Sequence, residues 1–250
     1  MEFSDMRFNS QWCGKDKANR IARGRSASRA YGLSARYFNA LRALGRFTSA
    51  VVITCGLFSP SGAVAAERLI LALGDSLTAG DGLSAEDGFT EQLEGALKAA
   101  GVNARVVNGG VSGDTSAGGL ARADWLLAER PELVIVELGA NDALRGLEPA
   151  DTRRNIDALV ARLMKNGARI VLTGMMAPPN LGREYTAEFN RIFPEVAKKH
   201  KVVLYPFFLD GVAANPAFNQ SDGIHPNAKG VSVIVERMLP VLLETLGETR

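Results

Sequence analysis

LILALGDSLTAG, residues 69–80, begins as five consecutive apolar residues and changes character at Gly74. An apolar run of that length without alternation describes a strand covered on both faces. The Gly-Asp-Ser that follows leaves a hydroxyl where the strand gives way to the next segment. A serine between a strand end and a helix N-terminus has an exposed Oγ and nearby backbone N–H groups without helical partners, which is a nucleophile's position. The same residues also suit a plain helix cap, with Asp75 or Ser76 as the capping side chain.

Outward from this stretch, short β-rich runs alternate with longer segments of helical period. The runs are RLILAL (68–73), ARVVN (104–108), LVIVELG (133–139), ARIVLTG (168–174) and KVVLYPF (201–207). Helices are expected at 88–100, 116–129, 151–166, 185–199 and 227–246, where apolar residues recur three and four apart. Five βα units in succession predict an α/β, flavodoxin-like three-layer α/β/α domain on a five-stranded parallel sheet, because right-handed crossovers place helices on both faces. Ligands of such a sheet bind beyond the carboxyl ends of its strands. The loops 74–87, 108–115, 139–150, 175–184 and 208–226 fall on that edge.

The chain of 250 residues is 46% hydrophobic and 22% charged, ordinary for one globular domain. Its charge is uneven: residues 1–66 hold 10 Lys/Arg against 3 Asp/Glu, and residues 67–250 hold 19 against 24. An acidic remainder argues against a nucleic-acid surface. The basic leader ends in FTSAVVITCGLF and SPSGAVAAE, an apolar stretch too short to span a bilayer followed by an A-x-A site at Ala63–Ala65. That pattern predicts a signal peptide cleaved after Ala65, hence a periplasmic or secreted product with residues 1–65 as leader and 66–250 as the mature domain. A start near Leu41 or Leu44 from a non-standard codon would give a signal of normal length, and a rival reading makes Cys55 a lipid-anchor cysteine. Cys13 and Cys55 both precede the domain, so it has no disulfide and no cysteine-built zinc site. A monomer without cofactor or metal is expected.

A serine needs a base to become a nucleophile, and the chain has two histidines. His200, in AKKHK at a helix end, is read as a solvent-facing residue favoured by the helix dipole. His225, in SDGIHPN on the active edge, follows Asp222 by three residues, with Gly223 between them as a turn residue. Asp-x-x-His can supply the orienting acid and the base of a triad with Ser76, although the same loop also reads as a turn capping the last helix. NGGVSGDT (108–115) and ELGANDA (137–143) offer glycine N–H groups and the Asn141 amide which, with the N–H of Ser76, could form a three-donor oxyanion hole. Glycine turns and an Asx turn are the plainer readings. Ser112 misses the G-x-S-x-G pattern by one position, and no complete dinucleotide or P-loop motif is present.

GDSLTAG, SGDT, GAND and DGIHPN, in this order and spacing, resemble the sequence blocks of the SGNH (GDSL) hydrolases over essentially all of 67–250. The chain looks closest to the periplasmic multifunctional thioesterase/lysophospholipase/arylesterase branch, through ELGANDALRG, NLGREY and LYPFF. The resemblance implies Ser76 as nucleophile, Asp222 and His225 as acid and base, Ser76, Gly113 and Asn141 as oxyanion donors, and a small acyl ester or thioester as substrate. Two departures stand out: Gly109 and Gly110 suggest a more flexible loop before Gly113, and MMAPPNLG (175–182) differs where the family lines its acyl site. Leu77, Leu144, Met175, Met176, Pro178, Pro179, Phe207 and Phe208 favour an acyl chain. Acetylated carbohydrate on the same triad, or a non-catalytic binding protein on the same scaffold, are the alternatives.

Overall fold

The structure, a computed structural model, describes residues 66–248. The basic leader and the expected cleavage site lie outside the described residues. Five strands, β1 (Arg68–Gly74), β2 (Ala104–Gly110), β3 (Leu133–Glu137), β4 (Arg169–Thr173) and β5 (Val203–Tyr205), form one parallel sheet in the order β2-β1-β3-β4-β5. The helices are α1 (Ser76–Ala79), α2 (Phe89–Ala99), α3 (Ser116–Leu126), α4 (Ala140–Leu144), α5 (Pro149–Lys165), α6 (Arg183–Asn190), α7 (Ile192–His200) and α8 (Ala228–Leu246). This is the expected α/β three-layer architecture.

Strand position explains strand composition. Ile70–Leu73 and Leu133–Val136 are buried throughout because β1 and β3 have neighbours on both edges and helices on both faces. β2, at the edge, alternates buried and exposed residues. Helices α2 and α8 pack on each other in one layer, while α3, α5 and α7 pack in the other. Apolar stripes face the sheet from α2 (Phe89, Leu93, Leu97), α5 (Ile156, Leu159, Val160, Leu163) and α8 (Val231, Ile234, Val235, Met238, Leu242). Burying one such side chain contributes about 1.5–3 kcal/mol. The strand order reverses between β2 and β3, around β1, and a crevice opens there at the carboxyl edge.

Three expectations are corrected. The helix over 185–199 is two helices, because Pro194 has no N–H for the carbonyl of Asn190 and its ring would crowd that carbonyl; α6 therefore stops at Asn190. The strand over 201–207 is only Val203–Tyr205, since Pro206 cannot donate to the ladder. Gly109 and Gly110 are not a flexible loop but the paired end of β2, opposite Leu73 and Gly74. A Cβ on Gly110 would lie 2.3 Å from the nitrogen of Ala79, so the glycine lets α1 pack directly on the strand.

Candidate active site

The turn after β1 is built by close approach. A Cβ on Gly74 would lie 2.0 Å from the Thr78 hydroxyl and 2.5 Å from Glu137 Oε2, so only glycine lets the chain enter α1 here. Asp75 is the cap: its Oδ1 accepts the N–H of Leu77 at 3.0 Å. Capping therefore falls on Asp75, and the Ser76 hydroxyl is left for another partner.

That partner arrives from the loop before α8. Asn219 and Pro226 form an antiparallel bridge, and the Gln220 N–H donates to the His225 carbonyl at 2.8 Å, closing the loop on itself. The Gln220 amide donates to the Asp81 carbonyl at 2.7 Å and so straps the loop to the segment that follows α1. Within the loop, Asp222 Oδ1 accepts the N–H groups of Ile224 and His225, and its Oδ2 lies 2.7 Å from His225 Nδ1. His225 Nε2 in turn lies 2.9 Å from Ser76 Oγ. The hydrogen bond from the imidazole, helped by the two backbone donors, lowers the Asp222 carboxyl to about 2. An ionised carboxylate only accepts, so Nδ1 carries the proton and Nε2 of the neutral ring is free to accept from Ser76.

Gly113 and Asn141 line the same cleft as Ser76 and His225. Gly113 has φ +83°, a conformation that disfavours side chains. Asn141 stands in the first turn of α4, and its Nδ2 donates to Asp75 Oδ2 at 3.0 Å, which leaves the second amide hydrogen for a ligand. The two loops are tied together: buried Asp142 accepts the Ser116 N–H at 2.7 Å and the Thr152 hydroxyl at 3.1 Å, and Arg145 donates to the Gly113 carbonyl at 2.7 Å. Arg122, from α3, donates to Asp114 at 2.6 Å, to the Gly109 carbonyl at 2.6 Å and to the Gly74 carbonyl at 2.7 Å. One guanidinium thus fastens the ends of β1 and β2 to the loop that carries Gly113.

The cleft has a volume of about 600 Å³. Its apolar wall contains Leu77, Leu144, Met175, Met176, Pro178, Pro179 and Phe207, as the sequence suggested. Phe208 is the exception: it is buried in the core with its ring edge-on to Phe89 at 5.2 Å. His200 also departs from expectation. Its ring is mostly covered and its Nε2 lies 2.8 Å from Asp157 Oδ1, so it joins α7 to α5 rather than facing solvent. Among the described residues no group of three His, Cys, Asp or Glu side chains is arranged to hold a metal ion.

Sequence reasoning missed Arg122, Gln220 and Glu137. Glu137 had a visible signal, a carboxylate letter inside the apolar run LVIVELG. It is wholly buried at the end of β3, accepting from the Thr78 hydroxyl at 2.9 Å and from the Asp75 N–H at 3.2 Å. Arg122 and Gln220 had none, because their partners are mostly backbone carbonyls remote in sequence.

Sheet order and crevice define a three-layer α/β fold that brings Ser76, His225 and Asp222 into one hydrogen-bonded series. The chain belongs to the GDSL-like lipase/acylhydrolase family, whose model matches residues 72–233. It is 42% identical to Esterase TesA of Pseudomonas aeruginosa over 71% of this chain and 89% of that protein. It is 39% identical to Thioesterase 1/protease 1/lysophospholipase L1 of Escherichia coli K12, over 70% of this chain and 83% of that one. Among solved structures, AlinE4, an SGNH-hydrolase family esterase, superposes with a TM-score of 0.62 at 46% identity, covering 72% of this chain and 97% of its own.

Proposed function

We propose that hydrolysis by this acylhydrolase runs through Ser76 as nucleophile, His225 as general base and acid, and Asp222 as the group that orients the imidazole. The observation that carries this reading is the unbroken hydrogen-bonded path from Ser76 Oγ through His225 to Asp222, opening into an apolar cleft. His225 Nε2 takes the serine proton as Oγ bonds to the ester or thioester carbonyl carbon. The carbonyl oxygen becomes an oxyanion held by the N–H groups of Ser76 and Gly113 and by the Asn141 amide. The imidazolium, stabilised by the Asp222 carboxylate, gives its proton to the departing alkoxide or thiolate, leaving an acyl-enzyme. Water then attacks with His225 as base, the acid leaves, and Ser76 regains its proton.

The substrate is a small acyl ester or thioester with an extended acyl chain. Apolar side chains along one wall of the cleft support an acyl chain over an acetylated sugar, whose hydroxyls would find few partners among Met175, Met176, Pro178, Pro179 and Phe207. The enzymes named as esterase and as thioesterase/lysophospholipase, alike over most of their length, support the same substrate class. The leader pattern supports export to the periplasm or beyond, with residues 66–250 acting as a monomer. No helix among the described residues is long and apolar enough to cross a membrane.

Hydrolysis of p-nitrophenyl acyl esters by wild type and Ser76→Ala tests the assignment. Turnover should fall by roughly four to six orders of magnitude with the fold retained, and a variant that keeps its rate removes Ser76 from the mechanism.

A further inference from the structure

Behind the nucleophile, away from the cleft, two carboxyl groups are buried against each other. Asp75 and Glu137 are both fully inaccessible to solvent, and the Asp75 backbone N–H donates to Glu137 Oε2 at 3.2 Å, which brings the two carboxyl groups together. Two carboxylates cannot share a dry site, because each loses its hydration and repels the other. One proton must lie between them.

The hydrogen-bond inventory says which group carries it. Asp75 accepts with both oxygens, from the Leu77 N–H and from the Asn141 amide. Glu137 Oε2 accepts two bonds, from Thr78 and from the Asp75 N–H. Glu137 Oε1 is buried and meets no donor. As a carboxylate it would leave that oxygen unsatisfied, whereas as an acid its O–H becomes a donor for Asp75.

We propose that Glu137 is a positioning residue for hydrolysis: as a neutral acid it donates a proton-bearing hydrogen bond to Asp75, and Asp75 in turn aims the Asn141 amide at the oxyanion. The inference rests on the reading of Asn141 as an oxyanion donor. Burial and the neighbouring Asp75 charge push the Glu137 carboxyl well above its ordinary range, the direction this arrangement requires. Burial also raises Asp75, to about 6, against which the Leu77 N–H, the hydrogen bond from Glu137 and the Asn141 amide favour its anion. His225 acts on Asp75 from the cleft side and favours its anion. Held by an anion through one amide hydrogen, Asn141 has a single orientation and points its other hydrogen at the substrate. If Asp75 lost its partner beneath, it could turn away from Asn141 toward the donors on Glu137's side, and the oxyanion hole would lose a fixed donor.

The test is a double-mutant cycle on the full chain with a p-nitrophenyl ester, with wild type, Glu137→Met, Asn141→Ala and the double variant. Glu137→Met, of similar shape but unable to donate, should lower kcat by about tenfold to a hundredfold with KM little changed, a share of what one oxyanion donor supplies. The same change in the Asn141→Ala background should cost almost nothing further, because Glu137 acts through Asn141. Glu137→Gln, whose amide donates as the acid does, should restore kcat to within a few-fold of wild type. Infrared difference spectra should show a protonated carboxyl C=O stretch in wild type that Glu137→Gln removes, a readout independent of turnover.

Equal losses in both backgrounds, or a Glu137→Gln variant as slow as Glu137→Met, overturn the proposal. So does the absence of the carboxyl band. Should Glu137→Met fail to fold, the Gln variant and the infrared band decide alone. An Asn141→Ala variant with full activity would instead remove the oxyanion reading on which the inference stands.

Discussion

The Arg122 guanidinium donates to the carbonyl of Gly74 at 2.7 Å, linking a side chain of α3 to the residue two places before Ser76. Its other two bonds reach Gly109 and Asp114, so three segments of the active edge share one charged hub that is four-fifths buried. Arg122→Met keeps the aliphatic stem and removes every bond. Three carbonyl and carboxylate acceptors then lose their donor, a loss of about 2–4 kcal/mol in stability. Thermal unfolding should fall by roughly 5–15 °C, and kcat should fall as well because the Gly113 loop is no longer fastened to β1.

Asp222 sets a pH signature that separates orientation from proton transfer. Its carboxyl ionises near 2 in the folded protein, below its value of 3.8 in a free chain. A depressed carboxyl adds stability above its unfolded value and loses it as pH falls through the folded one. The stability difference between wild type and Asp222→Asn should therefore be constant above about pH 4 and shrink between about pH 4 and 2, measured by urea unfolding. Any loss of kcat/KM at milder acidity then reports protonation of a group other than Asp222. At neutral pH Asp222→Asn should lower kcat by about ten-thousandfold, since an amide can hold the wrong imidazole tautomer.

The proposed oxyanion donors should respond unequally to substitution. Asn141→Ala should lower kcat about a hundredfold to a thousandfold. Gly113→Ala meets open space, with Arg145 Nη2 the nearest atom at 3.5 Å from the new Cβ, so its cost is in the backbone at φ +83°. That strain is about 1–2 kcal/mol, and it should appear as a reduced kcat together with a small drop in melting temperature.

Chain-length preference should follow the cleft. Ala213 lines it beside Phe207 and Leu209, and Ala213→Phe would occupy part of the 600 Å³. Rates on acetyl, hexanoyl and longer p-nitrophenyl esters should then fall with chain length, the short ester changing least. A uniform loss on all esters would show that the acyl chain lies elsewhere.

Much of this architecture was open to sequence reading, for a physical reason. A strand buried on both faces must be continuously apolar, so β1, β3 and β4 announced themselves, and the loops at their carboxyl ends followed. Ser76, Asp222, His225, Gly113 and Asn141, which the structure brings to one edge, were open to proposal because each belongs to a short local pattern, Asp222 and His225 within one turn. The hidden parts depend on tertiary partners. Gly110 looked like slack until α1 was seen packed against it. Arg122 is one of many basic residues until three carbonyl and carboxylate oxygens converge on it. Phe208 and His200 were misjudged for the same reason, since a residue at the end of a strand or helix can turn inward or outward with no change in its neighbours.

The sheet order carries a consequence in time. β1, the first strand, lies second in the sheet, and its neighbour β3 is made some sixty residues later. Ser76, the proposed nucleophile, is synthesised early, while its proposed base comes from the last loop before the final helix. A nascent chain thus carries Ser76 without His225, and hydrolysis through the proposed pair waits until nearly the whole polypeptide has been made. Under the proposed mechanism, completion of folding and the onset of catalysis become the same event.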